Sequence, residues 1–115
     1  MAILIKRVYE PAAKSDGTRV LVDRLWPRGL TKAGAKVHLW LKELAPSTGL
    51  RKWFGHDPEK WADFQKKYGA ELKGNPALAT LKSIAKGTTV TLVFAASDLD
   101  HNNAAALRRI LSRGA

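Results

Sequence analysis

The sequence predicts an α/β domain, a small open and mostly parallel sheet flanked by helices in a three-layer-like arrangement, with residues 1–115 as one unit. Three observations lead there. Two short segments rich in β-branched and aromatic residues open the chain. A third, residues 88–96, is almost continuously apolar, as expected of a strand covered on both faces. Helical signals fill the stretch between the second and third segments and follow the third. At 115 residues one core suffices, and no linker or low-complexity tract divides the chain.

In order, residues 3–9 and 19–26 read as strands separated by a turn at Ser15, Asp16 and Gly17. Val37, Trp40, Leu41 and Leu44 fall at helical spacing, and Pro46 ends that first helix, in which His38 is an early surface residue. Ser47 is the N-cap of a short second helix carrying Leu50, Trp53 and Phe54, closed by Gly55. Asp57-Pro58 starts a third helix, with Trp61, Phe64, Tyr68 and Leu72 on one side, and Asn75-Pro76 a fourth, with Leu78, Leu81 and Ile84 inward. The last helix spans about residues 100–112 and buries Ala104, Leu107, Ile110 and Leu111. Trp40, Trp53 and Trp61 all fall on inward faces by period, so core packing ranks above a partner surface for them.

Twenty Lys and Arg against ten Asp and Glu give a net charge of +10. Such a balance attracts phosphorylated metabolites and polyanions, although lysines spread along the chain also simply keep a small protein in solution. No cysteine is present, which excludes disulfides, thiolate metal sites and Cys nucleophiles. The first residues contain no apolar run long enough for a signal peptide or membrane span, so a cytoplasmic protein without membrane contact is expected. No P-loop, dinucleotide-binding glycine pattern, nucleophile elbow or zinc-protease pair occurs.

Ligands of open parallel sheets gather beyond the carboxyl ends of the strands. There the second strand runs into Asp23-Arg24-Leu25-Trp26-Pro27-Arg28-Gly29, joining a carboxylate, two guanidinium groups and an indole. Arginine captures phosphate or carboxylate in a bidentate manner. The plainer alternative has Asp23 pairing with Arg24 or a neighbour while Trp26 fills the core. The third strand leads through Ser97, Asp98, Asp100, His101 and Asn102 into the last helix, where N–H donors favour anions and the two aspartates also serve as N-caps. The short second helix and its exit add Arg51, Lys52, Trp53 and His56. For His56 and His101 an idle loop position is the stronger expectation, and the aspartate spacing gives a metal site little support.

These residues carry a resemblance. Lys6 through Pro11, Asp16 through Gly29, Pro46-Ser47, Leu50 through Lys52, Phe64, Tyr68, Glu71-Leu72, Asp98 and Asn102 resemble the YeaO-like family of domains of unknown function (DUF488), across almost the whole chain. The resemblance implies a small α/β domain and brings no established activity with it. Ser97 stands where that pattern has Lys or Arg, and Asn103 where it has His.

The expected function is binding of a small anionic, phosphorylated ligand at the strand ends. Arg7, Arg24, Arg28 and Arg51 supply charge, Tyr9 and Trp26 a stacking wall, Ser97 and Asn102 polar contacts, and Asp23 or Asp98 orientation or proton transfer. The alternative is non-catalytic nucleic-acid binding through the basic surface, with a steep salt dependence. The sequence names no cofactor and leaves catalysis and oligomeric state open.

Overall fold

The computed structural model describes residues 2–112; residue 1 and residues 113–115 of the expected domain lie outside the described part. Four strands, β1 (Ile3–Arg7), β2 (Thr18–Leu21), β3 (Leu39–Trp40) and β4 (Val90–Phe94), form one parallel sheet in the order β1-β4-β2-β3. Around it lie α1 (Lys32–Ala35), α2 (Thr48–Phe54), α3 (Trp61–Leu72), α4 (Pro76–Gly87) and α5 (Asn103–Ser112). The α/β class read from the sequence is the one the chain adopts.

β4 sits between β1 and β2, which accounts for its composition: every residue from Val90 to Phe94 is buried. Ile5 pairs with Leu92, and Leu92 with Val20, so one residue layer crosses three strands. Val20, Val90, Leu92 and Phe94 point to the face covered by α2 to α5, while Leu21 and Val93 point to the other, with Ala35, Val37, Trp26 and Trp40. The helices are therefore unevenly shared, the second face having only the four-residue α1 and its flanking loops.

A buried ionic knot underlies that second face. Asp16 accepts from Arg19 Nη1 at 2.8 Å, from Lys6 Nζ at 3.0 Å and from the Ala13 N–H at 3.0 Å. Arg19, with 2% of its side-chain surface exposed, also donates to the Ala35 carbonyl. Burial pushes the Asp16 carboxyl upward, yet the Ala13, Lys6 and Arg19 hydrogen bonds prevail and hold it below the usual carboxylate range. The turn just beyond requires glycine. Gly17 has φ +64°, and a Cβ there would lie 2.2 Å from the Thr89 carbonyl oxygen.

The expected helix through Val37, Trp40, Leu41 and Leu44 does not form. Instead the chain makes α1, then β3, then a 3₁₀ turn at Lys42–Leu44. Its apolar residues serve two layers: Val37 and Trp40 pack under the second face, Leu41 and Leu44 on the first. A straight helix offers all four one stripe; an extended segment separates them. Pairing with β2 decides the matter, because the His38 N–H bonds the Arg19 carbonyl and the Leu41 N–H the Leu21 carbonyl, both at 2.9 Å. His38 consequently lies on the approach to β3, where its Nδ1 accepts the Arg19 N–H at 2.9 Å.

Other boundaries follow their local signals more closely. Ser47, Asp57 and Asn75 accept N–H groups of the turns they open, and Gly55 ends α2 in the left-handed conformation. The strands are shorter than expected, since Glu10 caps the end of β1 through the Arg7 N–H and β2 stops at Leu21. α5 begins at Asn103 rather than near residue 100 because residues 98–102 form a hydrogen-bonded turn of their own. Trp61 packs against Phe54 and Phe64, whereas Trp53, expected inward, is 37% exposed with the Lys60 and Lys67 ammonium groups 5.2 and 5.1 Å from its ring centre. Among the described residues no helix is long and apolar enough to cross a membrane.

Connectivity places a crevice in this sheet. After β2 the chain turns toward the face of α1, and after β4 toward the opposite face and α5. Adjacent strands whose exits diverge leave an opening at their carboxyl ends.

Candidate functional site

Asp23 spans that opening. Its Oδ2 accepts the Ala95 N–H at 2.8 Å, its Oδ1 the Asn103 side-chain amide at 3.2 Å, and its carbonyl the Trp40 indole N–H at 2.7 Å. The same Asn103 amide donates to the Val22 carbonyl at 2.9 Å, so α5 is anchored to the exit of β2. Burial pushes the Asp23 carboxyl above its usual range, and the bonds from Ala95 and Asn103 and the charge of Arg51 offset this only in part. Pairing of Asp23 with Arg24 is absent: Arg24 Nη2 instead faces the Pro46 carbonyl at 3.4 Å.

Above Asp23 opens a cleft of about 580 Å³. The loop after β2 contributes Arg24, Leu25, Trp26 and Arg28; the loop after β1, Tyr9; the α2 region, Ala45, Pro46, Arg51, Lys52, Phe54 and His56; the exit of β4, Ala95, Ala96, His101, Asn102 and Asn103; and α3, Phe64. Asp23 is the single carboxylate in this lining, against three guanidinium groups and one ammonium group. No side-chain hydrogen bond or salt bridge occupies Arg28, Arg51 or Lys52 among the described residues. Trp26 is fixed by its indole bond to the Leu30 carbonyl at 2.7 Å and by an edge contact with Trp40. Tyr9 donates to the Arg28 carbonyl at 3.1 Å, bracing the two loops across the mouth.

Of the residues singled out in the sequence, Tyr9, Asp23, Arg24, Trp26, Arg28, Arg51 and Asn102 lie together around this cleft. Arg7, Ser97 and Asp98 do not line it. The Arg7 guanidinium donates to the Ala95 and Ala96 carbonyls and lies over the Tyr9 ring, tying β1 to the exit of β4. Ser97 is exposed. Asp98 turns inward on its own loop, Oδ1 accepting the N–H groups of Asp100 and His101 and Oδ2 facing His101 Nδ1 at 3.1 Å. Those backbone bonds hold its carboxyl below the usual range. Asn102, not either aspartate, caps α5, accepting the Ala105 N–H while its amide bonds the Asp98 carbonyl, so its side chain is already engaged.

The sequence reading left Asn103 out of the site and expected idle loop positions for His56 and His101, yet all three line the cleft. Asn103 is reached only through the closure of α5 onto β2, eighty residues away in the chain. The imidazoles gave no periodic signal, since both stand in loops; His56 even has a positive φ of 56° directly after left-handed Gly55.

Comparison with known proteins gives relatives without an assigned activity. An uncharacterised protein of Mycobacterium tuberculosis (strain H37Rv) is 40% identical over 110 residues, covering 96% of this chain and 93% of its own. The uncharacterised protein YeaO of Escherichia coli (strain K12) is 44% identical over 108 residues, 93% of this chain and 94% of its own. No solved structure matches. The family model described as the inactive DUF488-N3 subclade matches residues 2–114. With that match spanning the domain and YeaO similar along nearly its full length, the chain belongs to the YeaO-like DUF488 family, in the subclade described as inactive.

Proposed function

We propose that the cleft binds a small phosphorylated anion without transforming it. The observation that carries this reading is the lining: four cationic side chains, three of them without a side-chain hydrogen bond or salt bridge among the described residues, converge on one concave site whose lone carboxylate has both oxygens engaged. Cations left unpaired in a cleft are poised for an anionic guest, and a guanidinium group offers the paired N–H geometry that phosphate takes. A volume of about 580 Å³ suits a metabolite rather than a polymer strand. Trp26, Tyr9, Phe54 and Phe64 supply apolar surface for the rest of the molecule.

The lining offers little for covalent chemistry through a hydroxyl or thiol nucleophile. It contains no Ser, Thr or Cys to act as a nucleophile. The subclade's description as inactive agrees with this reading.

Isothermal titration with inorganic pyrophosphate tests it. A single site is expected, weakened about tenfold in Arg24→Ala and again in Arg51→Ala, the amount that loss of one charge-assisted contact implies. Pyrophosphate that fails to bind, or binds Arg24→Ala as tightly as the parent, refutes the reading. Binding confined to a single-stranded oligonucleotide, falling steeply with salt, favours a nucleic-acid partner on the basic surface instead.

A further inference from the structure

Within the cleft one side chain is held in the manner of a working group rather than a filler. His101 is gripped from three directions. Its Nδ1 lies 3.1 Å from Asp98 Oδ2, its backbone N–H is bound by the other oxygen of the same carboxylate at 3.0 Å, and its ring meets the Trp61 ring edge-on at 5.3 Å. With Nδ1 spoken for, Nε2 is the ring nitrogen without a hydrogen-bond partner among the described residues, and His101 is part of the cleft lining. A carboxylate on one imidazole nitrogen fixes the tautomer and orientation of the ring.

Resting on the anion-binding reading above, we infer that His101 is an anion-contacting residue of the cleft, with Asp98 as the positioning residue that presents its Nε2. Protonated, Nε2–H donates to an oxygen of the bound anion and adds a cation to those of Arg24, Arg28, Arg51 and Lys52. Neutral and donating through Nδ1 to Asp98, it turns a lone pair toward the anion and loses that contact. The ligand class this selects is a doubly charged phosphoryl or sulfuryl group, because each added cation rewards the second negative charge.

Other charged and titratable groups could imitate the effect. On its own loop His101 meets Asp98, with Asp100 next in chain; the loop after β2 brings Asp23, Arg24 and Arg28 to the same cleft; α2 and its exit bring Arg51, Lys52 and His56; α3 presents the Trp61 and Phe64 rings. Asp23 and His56 are the groups from which His101 must be separated, since either also makes the cleft more positive as pH falls.

Sulfate serves as the probe because its charge does not change near neutrality. Its affinity is measured from about pH 5.5 to about pH 8, the range in which imidazole exchanges its charge. Wild-type affinity is expected to fall roughly tenfold or more across this range, the equivalent of one charge-assisted hydrogen bond. His101→Gln removes that step while retaining the residual affinity, and Asp98→Asn, which keeps an acceptor for the two backbone N–H groups but loosens the hold on the ring, weakens sulfate binding at the acid end of the range. Asp23→Asn and His56→Gln leave the step in place. A step that survives in His101→Gln, or that vanishes in Asp23→Asn or His56→Gln, overturns the assignment to His101 while the cleft reading stands. Pyrophosphate and sulfate both failing to bind overturn the two together. Circular dichroism and thermal melts confirm that each variant is folded.

Discussion

Replacing Asp16 by alanine removes the one anion from a site where two cations converge. Arg19 would retain a single acceptor, the Ala35 carbonyl at 3.1 Å, for a guanidinium group with 2% of its surface exposed, and its Nε already lacks a partner. Lys6, 23% exposed, can turn outward while keeping the Pro11 carbonyl, so the cost falls on Arg19. Stranding a buried charge in this way costs about 3–5 kcal/mol. For a domain of this size each kcal/mol shifts the melting temperature by roughly 4 °C, so a drop of about 12–20 °C is expected. Because Asp16 is held below its unfolded value, its contribution is present at neutral pH and is lost as pH falls through the native value. The difference between parent and Asp16→Ala, measured by urea denaturation at neutral pH and again in acid, should therefore shrink on acidification. A loss under about 1 kcal/mol at neutral pH would show that water or rearrangement compensates Arg19 and would refute the reasoning.

Two further outcomes are expected. Gly17→Ala sets a methyl group against the Thr89 carbonyl in a left-handed backbone and should cost about 3 kcal/mol by chemical denaturation; a change below about 1 kcal/mol would mean the turn yields freely. Asp23→Asn should flatten part of the pH dependence of stability. The Asp23 carboxyl is raised in the native state, so its stabilising share is full below the ordinary value of 3.8 and is lost as pH rises through the native value. Parent stability relative to Asp23→Asn should accordingly fall as pH climbs across that interval, and a difference that stays constant or rises would contradict burial as the dominant influence on this group.

Much of the fold was legible because its signals are local. Ser47, Asp57-Pro58 and Asn75-Pro76 announce helix starts through side chains that bond their own turns. The nearly continuous apolar and β-branched run of β4 reports a central strand. The stretch through Val37 and Leu44 misled because its spacing satisfies a helix while its partners lie in β2, distant in sequence; the two-residue β3 has too few positions to show alternation. Arg7 misled in another way. Beside a strand end it reads as a ligand group, yet two backbone carbonyls left open at the exit of β4 claim it first.

That contrast divides the basic residues into two populations, and the division bears on how a chain of net charge +10 stays folded. Lys6, Arg7 and Arg19 are spent internally, on Asp16 or on carbonyls that secondary structure leaves unsatisfied, and they fasten β1 and β2 into the sheet. Arg28, Arg51 and Lys52 are left open, and they face one another's charge across a cleft that also forces Asp23 out of water. Mutual repulsion among cations and desolvation of a carboxylate both oppose folding, so a sequence shaped only for stability would scatter the first and replace the second. On the proposed reading, their concentration at the switch point of the sheet serves an anionic ligand. Its arrival would relieve the repulsion and should raise thermal stability in the parent protein more than in Arg51→Ala.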